Sequence, residues 1–285
     1  MTETIVRPPR LEERTSVYRV YGTGMPSVDR LTFDGFSRWW NRSTIQGDLP
    51  NLWRVAVVDD QIVGVAINAI LDSLSWGAIW ELVVDQEWRN KGIGTSLVRE
   101  SERALGDLNP NITHFVVGVK MHNSRAIPFI ERLGYGIQSL VLRLDGPAKP
   151  TLQEINLDVN IARLDDIPTL VHLDADTYWG HRDHKMLEYS IRGGNSYVMR
   201  ERSSNMVVGF VRLENDPEQT DSTVLSFNYR PGFGVEVVDA ALNEVTTKNA
   251  IFWVQDRHED ILDHFYAEGF RRTEAEFVAK KRVRR

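Results

Sequence analysis

The chain nearly states itself twice, and its 285 residues leave room for two ordinary domains. Four segments, Ile5-Val-Arg7, Ile62-Val-Gly-Val-Ala-Ile67, Arg89-Asn-Lys-Gly92-Ile-Gly94 and Phe129-Ile-Glu-Arg-Leu-Gly134-Tyr135, are followed in the same order by four counterparts. These are Ile161-Ala-Arg163, Val207-Val-Gly-Phe-Val211, Arg230-Pro-Gly232-Phe-Gly234 and Phe265-Tyr-Ala-Glu-Gly269-Phe270. The offset shrinks from 156 (Arg7 to Arg163) through 140 (Gly94 to Gly234) to 135 (Gly134 to Gly269), so the second copy has shorter loops. A spacing near 140 is too long for a solenoid repeat and fits duplication of a whole domain. Between the copies, Leu144-Asp-Gly-Pro-Ala-Lys-Pro150 joins a Gly and two Pro to few apolar residues and reads as a linker. The expected division is 1–146, a linker at 147–154, and 155–285.

Both halves show the same coarse pattern. In the first, a helix over Phe33–Ile45 precedes strands near Leu52–Val58 and Ile62–Ile70, and a strand over Ile79–Val84 follows. A helix from Ile93 sets Ile93, Leu97, Val98 and Leu105 on one stripe with Arg99, Glu100, Glu102 and Arg103 outside it, the pattern of a helix lying on a sheet. A strand over His114–Val119, a helix over Ser124–Leu133 closed by Gly134, and a strand over Ile137–Leu142 complete an α/β (α+β) layer.

Composition narrows the chemistry. With 42% hydrophobic and 26% charged residues the chain can bury a proper core. The absence of cysteine removes disulfides, thiolate metal ligands and any cysteine-bound acyl intermediate. A formal charge of −6 argues against a general nucleic-acid binder, and the basic run Lys280–Arg285 reads as a solvated end. No apolar run approaches the ~18 residues that span a bilayer, and Met1–Arg10 lacks a signal-peptide core, so a cytoplasmic monomer or homodimer without membrane or nucleic-acid partners is expected. His181-Arg-Asp-His184 has ligand types but no third partner at metal spacing, so it reads as a solvated turn and no metal is expected.

The stretch Glu81-Leu-Val-Val-Asp-Gln-Glu-Trp-Arg89-Asn-Lys-Gly92-Ile-Gly94-Thr95 carries the strongest signal: an apolar strand, then Arg89, then two glycines at the mouth of a helix. A helix start leaves about four backbone N–H groups without partners and a partial positive charge, so it attracts phosphate. Gly92 and Gly94 remove side chains that would hold an anion away, and Arg89 and Lys91 add full charges. Leu97 stands where a dinucleotide fold needs its third glycine, and Gly-Ile-Gly-Thr-Ser is not the Gly-Lys-Ser/Thr of a P-loop.

Arg89-Asn-Lys-Gly92-Ile-Gly94 resembles the Arg/Gln-x-x-Gly-x-Gly/Ala signature of the GNAT superfamily of acyl-CoA-dependent N-acetyltransferases. About 30 residues on, Asn123-Ser-Arg-Ala126-Ile-Pro-Phe129-Ile-Glu-Arg-Leu-Gly134-Tyr135 resembles the second signature of that family. The resemblance covers nearly all of residues 3 to 144 and, more weakly, 155 to 282. It implies two tandem GNAT-like domains, each a mixed, mostly antiparallel sheet flanked by helices, with acetyl-CoA as co-substrate. It further implies that Leu82, Val83 and Val84 offer backbone groups to the acetyl and pantetheine portions. Arg89, Asn90, Lys91, Gly92, Ile93, Gly94 and Thr95 are then expected to bind the pyrophosphate, and Asn123, Ala126 and Phe129 to line the far side.

Direct transfer needs a neutral amine, so an alkylammonium must first lose a proton. Glu81 is the candidate base, the one carboxylate inside the apolar strand, where burial is expected to raise its pKa; pairing with a structural Arg at a sheet edge is the other reading. Strand N–H groups would serve the oxyanion. The family often protonates the leaving thiolate from a Tyr after the Phe of the second motif, but this chain has Ile130 there. In the second half Tyr266 follows Phe265, yet Arg230-Pro-Gly232-Phe-Gly234 is one residue short and its proline lacks an N–H, so this half is expected not to bind coenzyme A and Tyr266 to be a core aromatic. Trp39, Trp40 and Trp53 could shape an acceptor pocket or fill the core.

The expectation is an N-acetyltransferase, active in its N-terminal half, that moves acetyl from acetyl-CoA to a primary amine of a small molecule, with a faint leaning to cationic acceptors from the acidic balance. A mycothiol-synthase-like acetyltransferase is a rival within the enzyme class. A non-catalytic acyl-CoA sensor is the rival outside it.

Overall fold

The computed structural model describes residues 4–25, 30–150, 154–175, 183–215 and 221–283. The first half runs β1 (Ile5–Arg7), α1 (Arg14–Gly24), α2 (Phe33–Ile45), α3 (Asp48–Leu52), β2 (Trp53–Val58), β3 (Gln61–Leu71), β4 (Trp76–Val84), α4 (Ile93–Leu108), β5 (His114–Lys120), α5 (Ala126–Arg132) and β6 (Gly136–Pro147). The second runs β7 (Leu157–Ile161), α6 (Ile167–Leu170), β8 (Asp174–Ala175), α7 (His184–Arg192), β9 (Ser196–Glu201), β10 (Val207–Asn215), β11 (Ser222–Tyr229), α8 (Gly234–Asn243), β12 (Asn249–Gln255), α9 (Glu259–Ala267) and β13 (Arg271–Arg282). Among the described residues all thirteen strands join one mixed sheet in the order β1-β2-β3-β4-β5-β13-β6-β12-β11-β10-β9-β7, with β8 attached to β11. Among the described residues only β4–β5 and β11–β12 are parallel pairs.

The final strands of the two halves trade places. β13 pairs with β5 from Glu276/Lys120 to Arg282/His114, while β6 pairs with β12 from Val141/Gln255 to Pro147/Asn249. Each half's parallel pair is therefore closed by the other half's last strand, and β6 and β13 pair with one another at the centre. The stretch expected to be a linker is strand as far as Pro147. Gly146 does not turn the chain there: a Cβ on it would collide with the ring of Phe270, so glycine lets that aromatic lie flat on the strand.

The other expected elements of the first half form at nearly their expected bounds, because their apolar residues have sheet or helix period. β2 is buried along its whole length, as a strand covered on both faces must be. On one face Trp53, Val55 and Val57 pack with Val17, Val20, Phe36 and Trp40 of α1 and α2; Phe36 meets Trp53 edge-on at 5.8 Å and Trp40 meets it at 5.4 Å. Trp40 and Trp53 thus belong to the core. On the other face Ala56 and Val58 pack with Ile93 and Leu97 of α4. The second half repeats this with Phe227, Phe252, Phe265 and Phe270 packed among Val237, Val238 and Ala241 of α8.

Candidate active site

Strands β4 and β5 pair only from Trp76/His114 to Ile79/Val117 and then part. A bulge lies at the parting, since Asn68 opposes Ile79 and Ile67 opposes Glu81, leaving Trp80 as the extra residue. Ile79 packs in the cluster of Val98 and Leu105 from α4, so Trp80 points the other way. Ile67, opposite Glu81, belongs to the cluster of α1 and α2. The bulge therefore turns Trp80 and Glu81 to one face, that of α1 and α2. Glu81 is half-buried there rather than enclosed. The end of α1 lies directly on this strand: a Cβ on Gly24 would collide with Val83.

Beyond the bulge the backbone divides its hydrogen bonds. The Asp85 N–H donates to the Val63 carbonyl at 2.9 Å, so by antiparallel alternation Val83 and Glu81 also bond β3, while Leu82 and Val84 turn N–H and C=O toward the opening. The Val84 carbonyl accepts from Arg89 Nε at 3.0 Å. Of the three strand residues expected to meet acetyl-CoA, Leu82 and Val84 thus face the opening with backbone groups, and Val83 faces β3 with a buried side chain.

The helix start sits at the mouth of the same opening. Asn90 and Gly92 have φ of +62° and +82°, and no atom lies within 4 Å of where a Cβ of Gly92 would stand. The Ser96 N–H donates to the Gly92 carbonyl at 3.0 Å; the amides before it, at Ile93, Gly94 and Thr95, are those a helix start leaves open. A Cβ on Gly94 would lie 3.3 Å from Phe129 Cζ and 3.8 Å from Val84 Cγ2. Both expected signatures and the strand therefore converge at Gly94. Ala126 is half-buried beside Phe129, while Asn123 is exposed and turns the chain into α5, its carbonyl accepting from the Ala126 N–H at 3.0 Å. Lys91 is exposed with its ammonium 4.4 Å from the Trp88 ring.

Two residues near the second signature carry no acid chemistry. Ile130 is buried among Val98, Val117 and Val119. Tyr135 donates its hydroxyl to Glu102 at 2.8 Å, and burial, with that carboxylate beside it, holds the phenol far above its ordinary range. Glu102 also takes Lys281 Nζ at 2.7 Å. Helical spacing places Glu102 outside the apolar stripe, yet its side chain is largely covered, between Tyr135 and the lysine that β13 brings from the other half.

In the second half, β11 and β12 pair from Ser222/Asn249 to Leu225/Phe252 and part likewise. No bulge interrupts β11 against β10, and Ser226 stands first beyond the parting where Trp80 and Glu81 stand in β4. β8 adds antiparallel to the parted stretch, Asp174 opposite Tyr229 and Ala175 opposite Asn228, and Arg257 anchors it by an ion pair to Asp174 at 2.7 Å. Gly234 is pressed at the helix start, where a Cβ would lie 2.6 Å from Ile261 Cδ1. Tyr229 and His258, both buried, share a hydrogen bond in the gap. Tyr266 is not a core aromatic: α9 buries Ile261, Leu262 and Phe265, which leaves Tyr266 on the outer side, 45% exposed. His181 and Arg182 lie outside the described residues; Asp183 caps α7, accepting from the Lys185 N–H at 3.0 Å.

Residues 16–135 match the acetyltransferase (GNAT) family. These residues form a GNAT acetyltransferase domain. No curated protein matches the sequence. Among solved structures, a GCN5-related N-acetyltransferase from Sphaerobacter thermophilus is similar with a TM-score of 0.71 at 13% identity, covering 99% of this chain and 96% of its own. A tandem GNAT protein from the clavulanic acid biosynthesis pathway is similar at 0.67 and 12% identity, covering 98% of each chain. A GCN5-related N-acetyltransferase from Kribbella flavida is similar at 0.65 and 12%, covering 98% of this chain and 71% of its own. The tandem GNAT architecture and the acyltransferase class expected from the sequence hold. Enzymes of this family take their acyl group from acetyl-CoA. Among the described residues no helix is long and apolar enough to cross a membrane.

Proposed function

We propose that the protein transfers acetyl directly from acetyl-CoA to a primary amine of a small molecule, in the cleft of its first half. The observation that carries this reading is the meeting, at Gly94, of the open strand edge of Leu82 and Val84 with an uncrowded helix start. The amides of residues 92–95 would hold the diphosphate, with Arg89, Asn90 and Lys91 around them, and Asn123, Ala126 and Phe129 would line the opposite side. On this reading the halves divide as 1–146 and 155–285, each lending its last strand to the other.

Glu81 is the base. It lies beside the opening, half in water, on the face where α1 and α2 would receive an acceptor, and it takes the proton that the amine loses as it attacks. The Leu82 N–H is placed for charge developing on the acetyl oxygen. No protein acid is required for the sulfur: a thiol with a pKa near ~8.5 departs as thiolate and takes its proton from water, which accommodates Ile130 and a Tyr135 that cannot give one up.

A sensor of acyl-CoA is the second reading, favoured by Ile130 alone. Calorimetry with acetyl-CoA followed by thiol release over an amine panel separates the two, since a sensor binds without turnover on any amine. Glu81→Gln should slow transfer ~10²–10⁴-fold and leave acetyl-CoA affinity unchanged; an undiminished rate would remove Glu81 from the chemistry.

A further inference from the structure

The wall of the cleft opposite β4 is built partly by the second half. Ala78 opposes Val116, so Trp80, two residues after Ala78, shares a face with Lys120, four after Val116. Glu276 of β13 opposes Lys120, Glu274 opposes Arg143 of β6, and Arg143 opposes Trp253 of β12. Trp80 and Glu81 thus share one sheet face with Lys120, Glu274, Glu276 and Trp253, on the two sides of the parting.

This group already grips an ammonium. Lys120 Nζ lies 3.2 Å from Glu274 Oε1, 3.7 Å from Glu276 Oε2 and 4.4 Å from the Trp253 ring centre. The two carboxylate side chains are only 13% and 16% exposed, which strengthens their hold on a cation relative to open water. Glu274 Oε1 is enclosed and accepts no well-formed hydrogen bond among the described residues; Lys120 Nζ is the cation beside it, and His122 Nδ1 lies 3.8 Å away.

The reacting amine cannot be what it holds. Carboxylates stabilise the protonated form, and attack requires the neutral one. We propose that Glu274 and Glu276, brought by the last strand of the second half, are specificity-determining residues of the first half's cleft, selecting an acceptor that carries a second cationic amine beside the one that reacts. The inference rests on the acetyl-transfer reading of that cleft. In the step itself nitrogen bonds to the acetyl carbon, the C–S bond breaks with its electron pair on sulfur, and one proton leaves the nitrogen to Glu81, while the second ammonium stays unchanged against the wall.

The test compares propylamine with 1,4-diaminobutane and spermidine as acceptors. kcat/KM should be at least tenfold higher for the di- and triamine, through KM, and the variant Glu274→Gln with Glu276→Gln should erase that preference while binding acetyl-CoA as the parent does. Equal kcat/KM in the parent, or a preference that survives in the variant, overturns the proposal. Calorimetry of spermidine into the coenzyme A-loaded protein keeps this separate from the catalytic reading. Spermidine binding lost in the double variant upholds the wall even if no amine is acetylated, a result that would sink the transfer reading alone; spermidine binding absent from the parent, or unchanged in the variant, overturns the wall. Lys120→Met, which removes the built-in ammonium, should tighten spermidine at least threefold, and equal or weaker binding counts against the assignment.

Discussion

β4 and β11 each leave a parallel partner after four paired residues, yet one gap is open and the other is sealed. In the first half the outward backbone groups of Leu82 and Val84 meet an uncrowded helix start. In the second, the equivalent edge at Tyr229 is paired by Asp174 of β8, the helix start is pressed by Ile261, and a hydrogen-bonded Tyr229–His258 pair fills the space between. The lesson is that duplication preserves the parting of the strands, which the sheet geometry imposes, more readily than it preserves an empty space. A hole costs dispersion contacts and orphan hydrogen bonds, and the second copy has filled its own.

The largest expected effect tests that difference directly. Gly94→Leu should push a side chain into the space bounded by Phe129 and Val84 and weaken acetyl-CoA at least ~100-fold, close to ~3 kcal/mol, as read by calorimetry. The mirror change, Gly234→Ala, meets Ile261 and should cost ~1–3 kcal/mol of stability through overpacking while acetyl-CoA still binds one equivalent per chain with parental affinity. Two equivalents bound by the parent protein, or weakened binding in Gly234→Ala, would break the comparison.

A smaller effect concerns how the halves are tied together. Glu102 on α4 holds Tyr135 of its own half and Lys281 of the exchanged strand. Glu102→Gln removes the charge that the buried hydroxyl and the ammonium share, and should cost ~1–3 kcal/mol, or a melting shift of ~2–4 °C per kcal/mol at this size. Acetyl-CoA affinity should stay at the parental value, because Glu102 lies about three turns along α4 from Gly92. A melting temperature unchanged within a degree would mean that β13 is held by its ladder alone.

Much of the first half was legible because its signals are local. The strand–turn–helix from Glu81 to Leu97 declares itself by apolar period, two glycines and a charged turn, and Gly94 meets Phe129 as the two signatures together implied. What the sequence concealed is what depends on pairing partners. The alternation in residues 271–282 marks a strand without saying that it lies against β5, so Lys281 beside Glu102, and Glu274 and Glu276 beside Lys120, could not be foreseen. Gly146 has the look of a turn residue, but its cause is the ring of Phe270. Tyr266 follows a buried Phe265 in a helix, and one step of 100° carries it from core to solvent. The short strand β8 carries two residues and no pattern at all, though it pairs with the β11 edge whose counterpart in β4 is open.

The smallest expected effect contrasts the entrances of the halves. Each begins with a strand and a tight turn whose acid caps the chain: Glu13 accepts from the Arg10 N–H at 2.7 Å, and Asp166 from the Arg163 N–H at 2.8 Å. Glu13 also receives both arms of Arg7, at 2.6 and 2.9 Å, and that hydrogen-bonded guanidinium, foremost among the causes, holds its carboxyl below the usual range. A carboxylate whose pKa is lower folded than unfolded adds stability above its unfolded pKa and loses it as pH falls through the folded one. Glu13→Gln should therefore cost ~1 kcal/mol at pH 7, and the gap to the parent should close as the solution is acidified past the unfolded value near ~4.3. Denaturant midpoints measured in steps from pH 7 to pH 3 decide it: a gap that stays constant to pH 3 would assign the stabilisation to packing of the Glu13 side chain rather than to its charge.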